Sequence, residues 1–117
     1  MSMQTGLRRK PTGPTPAELE AEQVLEALSD HACRRILTTL QGAAEPMTAQ
    51  DLSEACDVPL STTYRKVEQL SEAGLLEETL QLRANGTHTH QYRSSVESVT
   101  VSLNDDRGLE VALGGDR

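Results

Sequence analysis

The side chains with the most reactive chemistry in this chain are two cysteines and two histidines. Cys33 and Cys56 each stand at an apolar position of a helical pattern, which favours small buried side chains, because unpaired cysteines are among the most buried residues. A redox switch is the alternative. His88 and His90 share one face of a predicted strand and could hold a metal together, but two ligands do not complete a site. We prefer a role for both in a packed face beneath Tyr92.

No catalytic constellation accompanies these residues. The chain shows no glycine-rich phosphate loop, no nucleophile with a base at a recognisable spacing and no set of four metal ligands. We therefore expect no enzyme, no cofactor and no metal.

A polar helix offers the other candidate chemistry. Over residues 61–73 the inner positions Thr63, Val67 and Leu70 follow helical spacing. The opposite face is polar, with Tyr64 and Lys66 on its two sides. Its members are Ser61, Thr62, Arg65, Glu68, Gln69 and Glu72. By itself such a face is typical of a solvated helix, so its meaning depends on the elements around it.

Two helices are predicted before this segment. A capping signature over residues 15–18 opens the first, which runs to about Leu28. The helical pattern starts again at Ser29 and Asp30, which predicts a second helix, and Gly42 ends that helix.

A third helix and a short turn complete a recognisable motif. Thr48 and Asp51 have the spacing of a capping box and predict a helix that starts there. Residues 57–60 form a tight turn before the polar helix, and Gly74 ends that helix. Two short helices joined by such a turn make a helix-turn-helix unit.

Two β-hairpins are predicted after Gly74. In the first, a three-residue loop over 84–86 places Leu80, Leu82 and Tyr92 on one face, whereas a two-residue loop would separate them. The second covers residues 96–113. It sets Val99, Val101 and Leu103 against Leu109, Val111 and Leu113 across a turn. The predicted fold class is mainly α with a β-wing: a winged helix-turn-helix with an additional C-terminal β-hairpin.

Charge and composition narrow the classes of partner. The 117 residues carry 11 basic and 18 acidic side chains, a net charge of −7, which argues against a basic nucleic-acid coat or a polybasic membrane-surface protein. No apolar run is long enough to cross a membrane, and we expect a cytoplasmic protein. Residues 61–93 are neutral overall, with four basic and four acidic side chains. Only two of the basic residues are lysines, and with the acidic excess this suggests a halophilic source.

Four pieces in order resemble the ArsR-type winged-helix regulators, especially their haloarchaeal relatives. They are residues 28–37 (LSDHACRRIL), 47–55 (MTAQDLSEA), 61–67 (STTYRKV) and 72–76 (EAGLL). The resemblance covers about residues 20–93 and implies a dimeric regulator that binds double-stranded DNA. Two features depart from it. The Cys-x-Cys pair of metal-sensing members is reduced to Cys56, and strands replace the usual C-terminal dimer helix.

Within this motif the polar helix is expected to enter the major groove. Arg65 is the candidate for reading a base, because its guanidinium pairs bidentately with guanine. Ser61 and Thr62 suit phosphate contacts at the helix start. Other expected DNA contacts come from the helices and from the wing. They are Thr48, Gln50, Tyr64, Lys66, Gln69, Arg83 and Arg93.

The predicted organisation has three parts. Residues 1–15 are a flexible N-terminal arm, 16–95 the DNA-binding domain, and 96–117 a hairpin extension that is a candidate dimer contact. A homodimer would use the first helix and this hairpin. Two alternatives stay open: a protein-docking module in a transcription assembly, and a sensor of metal or redox state through Cys33, Cys56 or the two histidines. Any small-molecule effector is unknown.

Overall fold

The computed structural model describes residues 16–115, so the predicted arm over 1–15 lies outside the described residues. Four helices precede two antiparallel hairpins, as the predicted winged helix-turn-helix fold requires. The elements are α1 Pro16–Ser29, α2 His31–Gln41, α3 Ala49–Cys56, α4 Leu60–Glu72, β1 Leu76–Leu82, β2 His88–Ser94, β3 Ser98–Asn104 and β4 Gly108–Gly114. The division of the chain at residue 95 stays a prediction.

Capping side chains define the helix starts. Asp30 caps α2 by accepting a hydrogen bond from the Cys33 N–H at 2.9 Å. The predicted capping box at α3 is confirmed: the Thr48 hydroxyl accepts from the Asp51 N–H, and the Asp51 carboxylate accepts from the Thr48 N–H. This box satisfies two backbone donors that the helix itself leaves unpaired. The capping residue predicted for α1, Thr15, lies outside the described residues.

One face of every helix packs together with the base of the wing in the hydrophobic core. Its largest fully buried aliphatic side chains are Ile36, Leu52, Leu70 and Leu75. The inner face predicted for α4 is confirmed, since Thr63, Val67 and Leu70 are all buried. This packing fixes the rotation of α4 and therefore decides which of its side chains face solvent.

The wing, residues 75–93, has the predicted register. Leu80 pairs with His90 and Leu82 with His88. The Gly86 N–H donates to the Arg83 carbonyl at 3.0 Å, and Gly86 has φ of 90°. That positive φ favours glycine and closes the three-residue loop.

The packed wing face beneath Tyr92 was a wrong prediction. Leu80 and Leu82 are 58% and 66% exposed, and both His88 and His90 are exposed as well. Only the base of the wing is buried, where Tyr92 pairs with Met47 through two backbone hydrogen bonds. Leu80 and Leu82 do share a face with Tyr92, but no element of the described chain packs over them.

The C-terminal hairpin, β3 and β4, also has the predicted register, with Val101 opposite Val111. Val99 and Val111 pack against the core, while Leu103 is 82% exposed. A groove of about 690 Å³ separates α1 from β4. Within residues 16–115, no helix is both long and apolar enough to span a membrane.

Candidate nucleic-acid interface

One flank of α4 is exposed along most of its length. We call Ser61, Tyr64, Arg65 and Glu68 the open flank; all four are exposed, and their spacing of three or four residues places them on one side of the helix. Within residues 16–115, Arg65 has neither an ion pair nor a side-chain hydrogen bond. Its guanidinium is therefore available to a ligand.

The neighbouring flank of α4 is occupied by α2. We call Lys66 and Gln69 the docked flank. The Lys66 ammonium donates to the Asp30 carboxylate at 3.2 Å, and its side chain is only 18% exposed. The Cys33 thiol donates to the Gln69 Oε1 at 3.6 Å. The structure thus does not bring these two predicted DNA contacts to the open flank, because both face the first turn of α2.

The start of α4 leaves backbone donors free of a side-chain cap. Pro59 is the capping residue and supplies no side-chain hydrogen bond. Its carbonyl accepts from the Thr63 N–H at 2.8 Å, so the N–H groups of Ser61 and Thr62 remain at the positive end of the helix. Uncapped N–H groups at a helix start are suited to bind a phosphate.

A depression of about 500 Å³ lies between α3, α4 and the wing; we call it the wing concavity. Four of the predicted contacts line it together: Thr48, Gln50, Tyr64 and Arg83. His88, His90, Glu78 and Tyr92 complete the wall on the wing side. The helix-turn-helix and the wing therefore form one continuous surface.

Most of the ionisable side chains described for the wing have their hydrogen-bond or ion-pair partners within the wing. The His90 Nδ1 forms a hydrogen bond with the Glu78 carboxylate, and the Arg83 guanidinium donates a hydrogen bond to the Thr89 hydroxyl. Burial, together with the negative charge of Glu78, raises the pKa of Tyr92. Arg83 is exposed at the tip, where its charge still faces solvent.

Arg93 lies away from this surface. Its guanidinium is 3.0 Å from the Glu77 carboxylate, and the two residues are cross-strand partners. Successive side chains of a strand point to opposite faces, so Arg93 is on the face opposite Tyr92. There it lines a different depression, beside residues 40–46. The alternation of side chains along β2 is enough to predict that Arg93 and Tyr92 lie on opposite faces.

Both cysteines are buried, as their apolar positions predicted. Cys33 is 0% and Cys56 1% exposed. Burial, with the Asp30 carboxylate nearby, raises the pKa of Cys33 to about 12. A thiol that is neutral and covered is a poor nucleophile, and this argues against the redox-sensor alternative. In the described part of the chain, no three His, Cys, Asp or Glu side chains are grouped to hold a metal.

Sequence reasoning placed Glu68 on the polar face of α4 but assigned it no role. The structure leaves it exposed, one turn beyond Arg65, with no partner in the described residues. The signal that could have identified it is the helical spacing itself.

Comparison with known proteins agrees with this geometry. A family model described as a helix-turn-helix domain matches residues 28–79. No protein of curated function matches the chain.

Several solved structures are similar in fold. A possible transcriptional regulator from Methanosarcina mazei Go1 has a TM-score of 0.53 at 19% identity, and the match covers 65% of each chain. A possible transcriptional regulatory protein from Mycobacterium bovis has a TM-score of 0.54 at 25% identity, over 72% of this chain and 84% of that one.

A solution structure from Mycobacterium bovis is similar too. It is a homodimeric winged helix-turn-helix DNA-binding domain of a possible ArsR-family regulator, with a TM-score of 0.53 at 21% identity, over 74% of this chain and 78% of that one. The chain described here therefore has a winged helix-turn-helix fold, and residues 28–79 match the helix-turn-helix domain model.

Proposed function

We propose that this protein is a transcription regulator that binds specific double-stranded DNA sequences with α4 in the major groove. The observation that carries the proposal is the open flank. Its polar side chains project from the second helix of a helix-turn-helix, where such proteins contact bases. Arg65 is the only cation on this flank in the described chain that has no internal partner.

The remaining contacts are assigned by position. Arg65 reads guanine through O6 and N7, and Tyr64 contacts a sugar or a thymine methyl group. The N–H groups and hydroxyls of Ser61 and Thr62 bind a phosphate at the start of α4. Thr48 and Gln50 bind the backbone on the α3 side of the wing concavity, and Arg83 does so from the wing tip.

The same proposal includes a homodimer built on α1 and the C-terminal hairpin. Leu19 on α1 and Leu103 and Leu113 on the hairpin are 49%, 82% and 43% exposed. Burying this apolar surface against a second copy would remove it from water and add to a core that has no Phe or Trp. The homodimeric Mycobacterium bovis domain supports a homodimer, and the exposed leucines support its location on α1 and the hairpin.

Point substitutions test the dimer better than truncation, because Val96, Val99 and Val111 pack in or against the core. Leu103→Asp should convert dimers to monomers in analytical ultracentrifugation. Leu82→Asp is the matched control, since Leu82 is a strand leucine 66% exposed on the wing. A dimer that persists in Leu103→Asp would remove the hairpin from the interface.

The acidity of the chain predicts an unusual dependence on salt. Each phosphate neutralised by a cation releases counterions, and that gain declines as salt rises. Here few cations face the DNA, so binding must depend on shape and hydrogen bonds. We infer a cytoplasmic protein that works in concentrated salt and whose affinity falls only slightly with added salt.

A docking module is the second candidate function. Leu80 and Leu82 are exposed apolar side chains on the wing, and their cross-strand partners His90 and His88 line the wing concavity. Such side chains are suited to bury against a protein partner. The isolated protein would then show no preference among DNA sequences.

Fluorescence anisotropy tests the proposal. The protein is titrated onto labelled DNA from upstream of its own gene and onto scrambled DNA of the same length, from low to molar potassium chloride. Tighter binding to the upstream DNA supports a site-specific regulator. Equal affinity for both at every salt concentration would contradict it and favour the docking module.

A further inference from the structure

The open flank carries a carboxylate as well as a guanidinium, and the carboxylate has no structural use. Glu68 is exposed, and it forms no ion pair or hydrogen bond with any residue in 16–115. It does not pair with Arg65, although three residues apart on a helix is a common distance for an ion pair. Neither side chain therefore has a partner within residues 16–115.

An acidic side chain on a surface that faces DNA is costly unless it has a donor to bind. Phosphates repel it, and the groove offers few positive partners. Two bases present an amino donor in the major groove, cytosine through N4 and adenine through N6, and carboxylates pair preferentially with cytosine N4 because the adenine donor lies beside the N7 acceptor.

The spacing of the two charges fits two base pairs that are close in sequence. Three residues advance an α-helix by about 4.5 Å, and successive bases on one strand are about 3.4 Å apart. A helix in the groove with Arg65 at one base pair therefore brings Glu68 to an adjacent one. The buried Val67 and Leu70 fix the rotation of the helix, so Glu68 leaves α4 on the same side as Arg65.

We propose that Glu68 is a specificity-determining residue that accepts a hydrogen bond from a cytosine N4 group next to the guanine read by Arg65. The inference rests on the proposed function, because it requires α4 in the major groove. Cytosine offers the carboxylate a donor with no acceptor beside it on the same base, whereas adenine places the N7 acceptor next to its N6 donor, and guanine and thymine present only acceptors on that edge.

Selection from a random double-stranded DNA library, followed by anisotropy on the selected sites, tests this inference. The variants are Glu68→Gln, Glu68→Ala and, as a matched control, Glu72→Gln. Glu72 is also exposed on α4 and loses the same charge, but it lies at the far end of the helix beside the α1–β4 groove. All three should keep the thermal midpoint of the native protein.

We expect the native protein to select a cytosine at one position. Glu68→Ala should lose about fivefold or more of the discrimination there, and Glu68→Gln should shift the preference to adenine, which glutamine recognises. Glu72→Gln should keep the native motif. If Glu68→Gln and Glu72→Gln keep one motif and bind all sequences more tightly by the same factor, Glu68 is only repulsive and the inference is wrong. If the native protein selects no motif, the proposed function fails with it.

Discussion

Arg65 and Lys66 are neighbours in the chain, carry the same charge and lie on the same helix, yet their surroundings differ. Lys66 is 18% exposed and is held 3.2 Å from Asp30. Arg65 is exposed and has no partner in the described residues. A rotation of about 100° per residue moves one cation to the docked flank and the other to the open flank. The docked flank contacts the start of α2, whereas the open flank is exposed, as the proposed contact with DNA requires.

The positions of both flanks depend on the buried face of α4. Removing a large side chain from that face should therefore lower the stability of the protein most. Leu70 is 0% exposed. Leu70→Ala should lower the free energy of unfolding by about 2–5 kcal/mol, because it leaves a cavity that the core closes only in part. Urea denaturation followed by circular dichroism measures this. A loss near zero would mean that α4 is not anchored by this face.

Removing the partner of the docked flank should have the next largest effect. Asp30 caps α2 and also holds Lys66. Asp30→Ala should cost about 0.5–2 kcal/mol of stability, the usual range for a lost cap. Asp30→Asn is the control, since asparagine caps equally well but carries no charge. Equal losses in the two variants would assign the whole effect to the ion pair.

The same residue predicts a loss of stability in acid. The Cys33 N–H, followed by Lys66, holds the pKa of Asp30 below its ordinary value of 3.8. A carboxyl whose pKa is lower in the folded state stabilises the protein fully above its unfolded pKa. That contribution disappears as the pH falls through the folded pKa. Below about pH 4 the native protein should therefore lose more stability than Asp30→Asn. Parallel curves of stability against pH would contradict the assignment.

Lys66 alone should matter least. Lys66→Met keeps the aliphatic stem that packs on α2 and removes only the charge. Ion pairs that remain partly exposed contribute little, so the loss in stability should be below about 1 kcal/mol. Thermal unfolding would show it as a small shift in Tm, and a much larger shift would mean that the pair is a principal anchor of α4.

The sequence was sufficient for most of the fold. Capping at Thr48, the inner face of α4 and the three-residue wing loop depend on neighbours within a few residues, and these were predicted correctly. The exposed wing face was not, because alternation shows which residues share a face but not whether another element covers it.

The site was predicted less completely for the same reason. Arg65 and Tyr64 lie on the open flank, and Thr48, Gln50 and Arg83 join Tyr64 at the wing concavity. Helical spacing alone does not show where α2 crosses α4, so it did not separate Lys66 and Gln69 from Arg65 among the expected DNA contacts. Only the tertiary contacts with Asp30 and Cys33 separate the two flanks.

The most direct test of the account compares the two cations on one DNA site. Arg65→Ala and Lys66→Met are titrated against the DNA that the native protein binds, at one salt concentration, and anisotropy gives the two affinities. Arg65→Ala should weaken specific binding by about 1–3 kcal/mol, whereas Lys66→Met should change it far less. Equal losses from both variants, or no loss from Arg65→Ala, would contradict the assignment of the open flank to DNA.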